Sequence, residues 1–168
     1  MNKEKLVNLL KIKKIPYKIY EHEPLFTVNE SKKLRGIIPG AHTKNLFFKN
    51  KKNLFFLFSC LESANIDLKL LKSKLNLGNV SFAKKEYLKK MLNVEPGAVT
   101  PYGLLNDTEN KICFYLDLKI AKCEHVNFHP LDNRYTLCTK TVDFIEFMKQ
   151  NNILVNIFDF DNYIKIND

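Results

Sequence analysis

The sequence predicts an α+β fold in which helices flank a mixed β-sheet. Helical and strand-like apolar patterns follow one another along the 168 residues without the regular β-α alternation of a parallel-sheet protein. The connections between these patterns are short, and no glycine-, serine- or proline-rich linker interrupts them. The length suffices for one hydrophobic core, so we expect a single domain over residues 1–168.

Local patterns predict the first elements. Three leucines between residues 6 and 10 recur at helical spacing and predict an amphipathic helix that ends near Pro16. Thr27 and Glu30 have the spacing of a capping box, in which each side chain binds a free backbone N–H of the first turn. A short helix should therefore begin there and end near Gly36.

The remaining elements follow from similar patterns. The aromatic-rich segment 46–58 surrounds a polar turn and predicts a hairpin. Asp67 can cap a helix that Gly78 would end, and Thr141 and Asp143 favour the start of a late helix. The other expected elements are strands at 17–20, 80–82, 112–116 and 153–160, and a helix around 87–92.

The charge of the chain favours a polyanionic partner. Lysine and arginine outnumber acidic residues by 27 to 18, which gives a formal charge of +9. Such side chains neutralise phosphates and release counterions. The excess is concentrated between residues 69 and 90, where Glu86 is the only acidic residue among many lysines. A lysine-rich surface without a specific partner would give the same count, so charge alone leaves both interpretations open.

The composition also limits the compartment and the cofactors. No apolar run reaches the ~18 residues of a membrane helix, and the amino terminus lacks a secretory-signal pattern. We therefore expect a cytoplasmic protein with no membrane partner. The four cysteines are widely spaced, so we expect reduced, buried side chains. Cys123, His125 and His129 resemble a partial metal site, but no second cluster supplies further ligands. We expect no metal and no cofactor.

Generic enzyme motifs are absent, since the chain has no P-loop, no Gly-x-Ser-x-Gly elbow, no Gly-x-Gly-x-x-Gly turn and no His-Glu-x-x-His pair. Three polar islands stand out instead, at 42–45, 95–107 and 127–133. Each has a plain structural interpretation, because a lysine at a strand end is usually solvated and Gly and Pro shape turns.

Four separated segments, 20–30, 43–49, 94–107 and 126–133, together resemble the YbaK/ProX family of aminoacyl-tRNA editing domains. Within it they are most similar to the ProX (PrdX) type, which is related to the insertion domain of bacterial prolyl-tRNA synthetases. The resemblance runs nearly end to end. It implies a partly barrel-like sheet, the acceptor end of a mischarged tRNA as substrate, and prolyl-tRNA synthetase as a candidate partner.

The resemblance implies hydrolysis of the ester between an amino acid and the 3′-terminal ribose of tRNA. An aminoacyl ester is already activated, so the site needs positioning, an oxyanion stabiliser and water rather than a strong nucleophile. Lys44 could hold a phosphate or stabilise the oxyanion, and both roles stay open. The residues that match the family's catalytic positions are Lys44, Asn45, Gly97, Ala98, Val99, Thr100, Pro101 and His129.

The loop sequence Gly-Ala-Val-Thr-Pro and the following Leu-Leu-Asn-Asp match relatives that hydrolyse Ala-tRNA(Pro). A pocket that admits alanine can exclude the larger proline of correctly charged tRNA. Phe26 and Val28 are expected pocket walls, and Asn133 is an expected substrate contact. Two alternatives remain: deacylation of a Cys- or Ser-charged tRNA, and a non-catalytic tRNA-binding or synthetase-associated module.

Basic side chains are the expected contacts to the tRNA. Arg134 and Tyr135 stand where the family usually continues with small residues. If Arg134 faces the pocket, substrate size could differ; if it faces outward, it could join the phosphate-binding surface. The expected tRNA-binding residues are Lys69, Lys72, Lys84, Lys85, Lys89, Lys90 and Arg134.

Overall fold

The described residues form a nine-stranded mixed sheet with helices packed against it. The computed structural model describes residues 1–24 and 37–166. The strands follow the order β1-β7-β6-β2-β3-β5-β8-β9, and β4 pairs with β2 outside this path. The pairs β2–β6, β3–β5 and β5–β8 are parallel and the others antiparallel. The strands are β1 (Lys18–Glu21), β2 (Ala41–Asn50), β3 (Phe55–Leu61), β4 (Val80–Phe82), β5 (Ile112–Asp117), β6 (His125–Phe128), β7 (Tyr135–Lys140), β8 (Val155–Asp159) and β9 (Ile164–Ile166).

Helices cover both faces of this sheet, which confirms the predicted α+β class. The described helices are α1 (Lys3–Ile12), α2 (Leu68–Lys74), α3 (Lys85–Tyr87), α4 (Leu118–Ala121) and α5 (Thr141–Gln150). Helix α3 continues as a π-helical turn over Leu88–Leu92, and Pro101–Asn106 form a 3₁₀ helix.

Two apolar clusters define the faces. The front face is the side of the sheet covered by α1, α5 and the 3₁₀ helix, where Leu6, Tyr102 and Phe144 are fully buried. The back face is the side covered by α2 and the carboxyl-terminal strands, where Leu71 and Phe158 are fully buried. Aromatic residues fill both clusters, and their rings meet mostly at steep angles, as aromatic pairs prefer.

The predicted start of α2 is confirmed, but its predicted end is wrong. The side chain of Asp67 accepts hydrogen bonds from the backbone N–H groups of Lys69 and Leu70 at 2.8 and 3.0 Å, so it closes the start of α2. The helix ends before Gly78, because Leu75 is its C-cap and Asn76, with a φ of 51°, takes the left-handed position expected for the glycine. The capping-box helix expected at 27–36 lies outside the described residues.

Several elements differ from the sequence prediction. Strand β2 begins at Ala41, so Lys44 lies inside the strand and not before it. The strands β6 and β7 were not expected, because the polar residues of 125–135 hide the apolar alternation that marks a half-buried strand. Helix α4 and strand β9 are too short to produce a periodic pattern.

Gly40 should tolerate no side chain. It has a φ of 94°, and a Cβ atom placed on it would lie 2.8 Å from the Cβ of His125 and from its backbone oxygen. We expect Gly40→Ala to lower the free energy of unfolding by about 2–4 kcal/mol, from overpacking plus left-handed strain. Gly78→Ala is the matched control, because Gly78 also has a positive φ but nothing lies within 4 Å of its Cβ position. Urea unfolding of both variants measures the difference; equal losses would contradict the packing argument.

Candidate functional site

One edge of β2 is left open between two strands. Strand β3 pairs with residues 43–49 of β2 along one edge, while β6 pairs with 41–42 and β4 with 48–50 along the other. Within the described part of the chain, the edge at 44–46 therefore faces no strand. Lys44 and Asn45, the first two candidate catalytic residues, therefore lie at this open stretch of β2.

The backbone of Asn45 points into the gap. On the same edge, the N–H of Ala83 donates to the carbonyl oxygen of Phe47 at 2.9 Å, whereas the N–H of Glu62 donates to the carbonyl oxygen of His42 on the β3 side. Alternate residues of an antiparallel strand direct their backbone groups to opposite edges. The N–H and C=O of Asn45 therefore share the direction of those of Phe47.

The side chains of Lys44 and Asn45 lie on opposite faces of the sheet, because successive residues of a strand alternate. Lys44 lies on the back face opposite Cys60, and its ammonium donates a hydrogen bond to the carbonyl oxygen of Ala64. Asn45 lies on the front face, where its Nδ2 donates to the carbonyl oxygen of Val99 at 2.9 Å. A ligand that touches both side chains must straddle the open edge.

Ser59 completes the front-face contact. It pairs directly with Asn45 across β2 and β3, and its hydroxyl donates to Oδ1 of Asn45 at 2.5 Å. This bond fixes the amide orientation, so that the NH₂ group points at Val99. No sequence motif marks Ser59, and only the strand register reveals it.

The loop 97–101 is held rigidly, as its sequence predicts. The N–H of Ala98 donates to the carbonyl oxygen of Glu95 at 3.0 Å, and Gly97 has a φ of 88° at the third position of this turn. Pro96 before Gly97 is the usual pair for a type II turn. Thr100 then caps the 3₁₀ helix through its hydroxyl, and Pro101 occupies the first helical position.

The side chains of Ala98 and Thr100 in this loop are not accessible to a ligand. Ala98 is 4% exposed and Thr100 is fully buried, so their side chains pack in the core. The backbone N–H groups of the exposed Gly97 and the partly exposed Val99 make no hydrogen bond within the described residues. Such clustered donors suit a carbonyl oxygen, a ribose hydroxyl or a developing oxyanion.

His129 is fixed in one neutral tautomer. It follows β6, and its Nδ1 lies 2.8 Å from the carbonyl oxygen of Tyr135, which can only accept, so Nδ1 carries the proton. Nε2 therefore presents a lone pair. Burial lowers the pKa of His129 below its usual value, and this effect exceeds the opposing hydrogen bond to Tyr135. The ring centroid of His22 lies 6.2 Å from that of His129. The Nε2 atom of His22 lies 2.8 Å from the hydroxyl of Thr136, so this second imidazole is also held in place beside His129.

The protein should become less stable as the pH falls, because of His129. Its folded-state pKa is lowered, so between pH ~6.5 and that lower pKa the unfolded chain binds a proton that the folded chain does not. The free energy of unfolding should therefore decrease as the pH falls through this window. Urea unfolding at pH 7.5 and 5.5 measures the decrease, which should be smaller in His129→Gln; an unchanged pH dependence in that variant would refute the assignment.

Arg134 and Tyr135 are both held by neighbouring side chains. The guanidinium of Arg134 binds both oxygens of Asp132, at 3.0 and 2.6 Å, and this pair lowers the pKa of Asp132. The hydroxyl of Tyr135 donates to Glu21 at 3.2 Å, and the ammonium of Lys3 lies 3.5 Å from its ring centroid. Asn133 is partly exposed in the same turn.

The expected tRNA-binding lysines fall into two groups. Lys69 and Lys72 lie on α2 at the back face, whereas Lys84, Lys85, Lys89 and Lys90 lie in and before the turn that packs on the front face through Leu88 and Leu92. Lys85 and Lys89 form ion pairs with Glu95 at 3.1 and 3.5 Å. The six lysines therefore belong to elements that pack on different faces of the sheet, and their contact with tRNA stays a prediction.

The structure also bears on the expected pocket walls, the cysteines, and the metal and membrane predictions. Phe26 and Val28 lie outside them. Cys60 and Cys138 are buried as expected, and burial raises the pKa of Cys60 to about 12, but the expectation was wrong for Cys113, which is exposed at the sheet surface. Across 1–24 and 37–166 no three acidic, histidine or cysteine side chains group as a metal site. In the same ranges, no helix has the length and apolarity needed to cross a membrane.

Comparison with known proteins defines the class. Residues 22–147 match the model of the aminoacyl-tRNA editing domain family. The matched segment includes the open edge of β2, the 97–101 loop and His129. The chain belongs to the aminoacyl-tRNA editing domain family, which confirms the resemblance seen in its sequence.

Particular relatives narrow this class. The chain is 32% identical over 139 residues to the prolyl-tRNA editing protein ProX of Acetoanaerobium sticklandii, covering 82% of this chain and 85% of that protein. It is 36% identical over 146 residues to the prolyl-tRNA synthetase associated domain-containing protein 1 of Xenopus laevis, covering 84% and 86%. A crystal structure of a proposed trans-editing enzyme for prolyl tRNA synthetase shares the fold, with a TM-score of 0.66, 19% identity and coverage of 92% and 95%.

Proposed function

We propose that this protein hydrolyses the ester bond of mischarged aminoacyl-tRNA, with Ala-tRNA(Pro) as substrate and Pro-tRNA(Pro) spared. The observation that carries the proposal is the contact of Asn45 with Val99, which joins the open edge of β2 to the 97–101 loop. Membership of the editing-domain family and similarity to ProX support tRNA as the substrate.

In this proposal the ester lies at the open edge of β2. The backbone N–H groups of Gly97, Val99 and Asn45 supply donors for the ester carbonyl and the terminal ribose. Oriented donors of this kind cost little to reorganise when negative charge develops on the carbonyl oxygen. Asn45 acts by holding the loop against the strand, since its side-chain NH₂ is used by Val99.

Lys44 approaches the same edge from the back face. Its ammonium leaves the carbonyl oxygen of Ala64 when an anion arrives, because a phosphate or oxyanion is a stronger acceptor than a neutral carbonyl. His129 contributes the lone pair of Nε2, which accepts a proton or a hydrogen bond from water, a ribose hydroxyl or the substrate amino group. The attacking group is water, and no cofactor takes part.

Selectivity for alanine rests on size. A site that fits a methyl side chain rejects the larger ring of proline, while cysteine and serine differ from alanine by a single atom and are harder to exclude. A panel of tRNA(Pro) charged with alanine, cysteine, serine or proline tests this proposal. Fastest release of alanine supports it; fastest release of cysteine or serine favours the second deacylase alternative.

A non-catalytic module is the remaining alternative. It predicts salt-dependent tRNA binding without release of any amino acid from the panel. In that case Lys44→Ala would leave tRNA binding unchanged, since no reaction depends on this side chain.

A further inference from the structure

A second binding site lies at the far end of β2. The end of β2, strand β4 and the start of α3 enclose a cavity of about 360 Å³. We call it the β4 groove, and it is lined by Lys49, Asn50, Lys51, Asn79, Val80, Ser81, Phe82, Ala83, Lys84, Glu86 and Tyr87. We propose that this groove binds the single-stranded 3′ end of the tRNA whose ester lies at Asn45, with phosphates on its lysines and a base on Phe82 where the RNA strand crosses the outer edge of β4.

Charge favours an anionic strand in the β4 groove. Lys49, Lys51 and Lys84 line it against Glu86 as the single acidic residue. None of the three lysines forms an ion pair within the described residues, in contrast to Lys85 nearby, which binds Glu95. The ammonium of Lys49 lies 5.0 Å from the ring centroid of Tyr87, a contact that leaves its charge without an acidic partner. Ammonium groups without an acidic partner around one cavity attract phosphates and release their counterions on binding.

An exposed aromatic ring supplies the second element of a single-strand site. Phe82 pairs with Phe48, so its ring lies on the back face, opposite the side chain of Lys49. It is 64% exposed, and one side of the ring is supported by the buried ring of Phe48, with centroids 4.5 Å apart. A ring that is held in place and presents a free face to solvent is a stacking platform for an unpaired base. Such platforms combined with basic grooves are typical of proteins that bind single-stranded nucleic acid.

The position of the groove relates it to the proposed ester site. Lys49 is four residues along β2 from Asn45, about 13 Å at the rise of a strand, and their side chains lie on the same face. The gap at 44–46 and strand β4 also share one edge of β2. A few nucleotides span this distance. With the terminal ribose at Asn45, the preceding nucleotides therefore reach the β4 groove. This assignment rests on the proposed function for its choice of RNA.

The test combines two lysine triples and two substrates. In the groove variant, Lys49, Lys51 and Lys84 are changed to Gln. In the control variant, Lys11, Lys122 and Lys149 are changed to Gln, which removes the same charge from exposed positions elsewhere. We expect the groove variant to bind tRNA at least tenfold more weakly, with the slope of log K against log salt reduced by about 2. Hydrolysis of alanyl-adenosine ester, which lacks the rest of the strand, should stay within twofold of wild type.

Truncated tRNA makes the test specific for the 3′ end. Removing the single-stranded 3′ end of the tRNA should weaken binding to the wild type and to the control variant, and should add little to the loss in the groove variant. Phe82→Ala should weaken binding about tenfold, and Phe82→Tyr should restore it. Equal losses in both triples, or additive losses on truncation, would overturn the proposal. Binding is measured with uncharged tRNA, so a groove that binds RNA without any ester hydrolysis would refute the proposed function alone.

Discussion

Replacing Lys44 with alanine is expected to slow the deacylation of Ala-tRNA(Pro) by about 10²–10³-fold, the usual cost of removing a group that stabilises a developing oxyanion. In the folded protein this ammonium is held on the back face by the carbonyl oxygen of Ala64, which follows β3, so it is oriented before substrate binds. Loss of the ammonium removes a positive charge from the back face of β2 next to Asn45.

The kinetic parameters assign the role of Lys44. A fall in kcat with unchanged KM indicates stabilisation of the transition state, whereas a rise in KM with unchanged kcat indicates a phosphate clamp. Lys44→Arg keeps the charge and should retain part of the activity if a clamp is its role. Lys122→Ala is the matched control for the loss of one exposed lysine, and it should leave both parameters unchanged. Wild-type rates in Lys44→Ala would contradict the account.

Tyr102→Ala is expected to have the largest effect on stability. Tyr102 is fully buried directly after Pro101, and its ring meets Phe128, Phe144 and Phe147 with centroids 6.1, 5.6 and 6.1 Å away. Truncation of such a ring leaves a large cavity and costs about 3–5 kcal/mol. For a chain of this size that corresponds to a fall in Tm of roughly 10 °C.

The same substitution should also lower activity, because Tyr102 anchors the loop 97–101 to the front-face core. Tyr102→Phe keeps all three ring contacts and removes only a buried hydroxyl, so its free energy of unfolding should stay within about 1.5 kcal/mol of wild type. Thermal unfolding and deacylation rates of the two variants, measured below the lower Tm, separate packing from hydroxyl chemistry. A Tyr102→Ala protein as stable as the wild type would contradict the proposed anchoring.

Local features of the fold could be predicted from the sequence. The hairpin around 51–54, the Asp67 cap and the Gly97 turn depend on residues that are close in the chain, and each was found. The strands β6 and β7 could not be predicted, because their stability comes from pairing with β1 and β2, and not from an apolar pattern of their own. Tertiary pairing overrides weak local propensity at such positions.

The sequence predicted which residues belong to the candidate site. It could not predict how they are arranged, because the arrangement depends on how β2 pairs with β3. Adjacent positions in the sequence suggested that Lys44 and Asn45 act together, whereas strand alternation places them on opposite faces of β2. Ser59 gave no signal in the sequence because its contact with Asn45 arises only from the pairing of β2 with β3. Similarly, the lysines of 69–90 form one run in the sequence, yet α2 and the turn after α3 pack on opposite faces.

The decisive experiment measures the release of amino acid from Ala-tRNA(Pro) by the purified wild-type protein. We expect rapid loss of labelled alanine from this tRNA and no loss of proline from Pro-tRNA(Pro) beyond the rate without protein. Intact Ala-tRNA(Pro) after prolonged incubation with folded protein, or equal hydrolysis of both tRNAs, would refute the proposed editing activity.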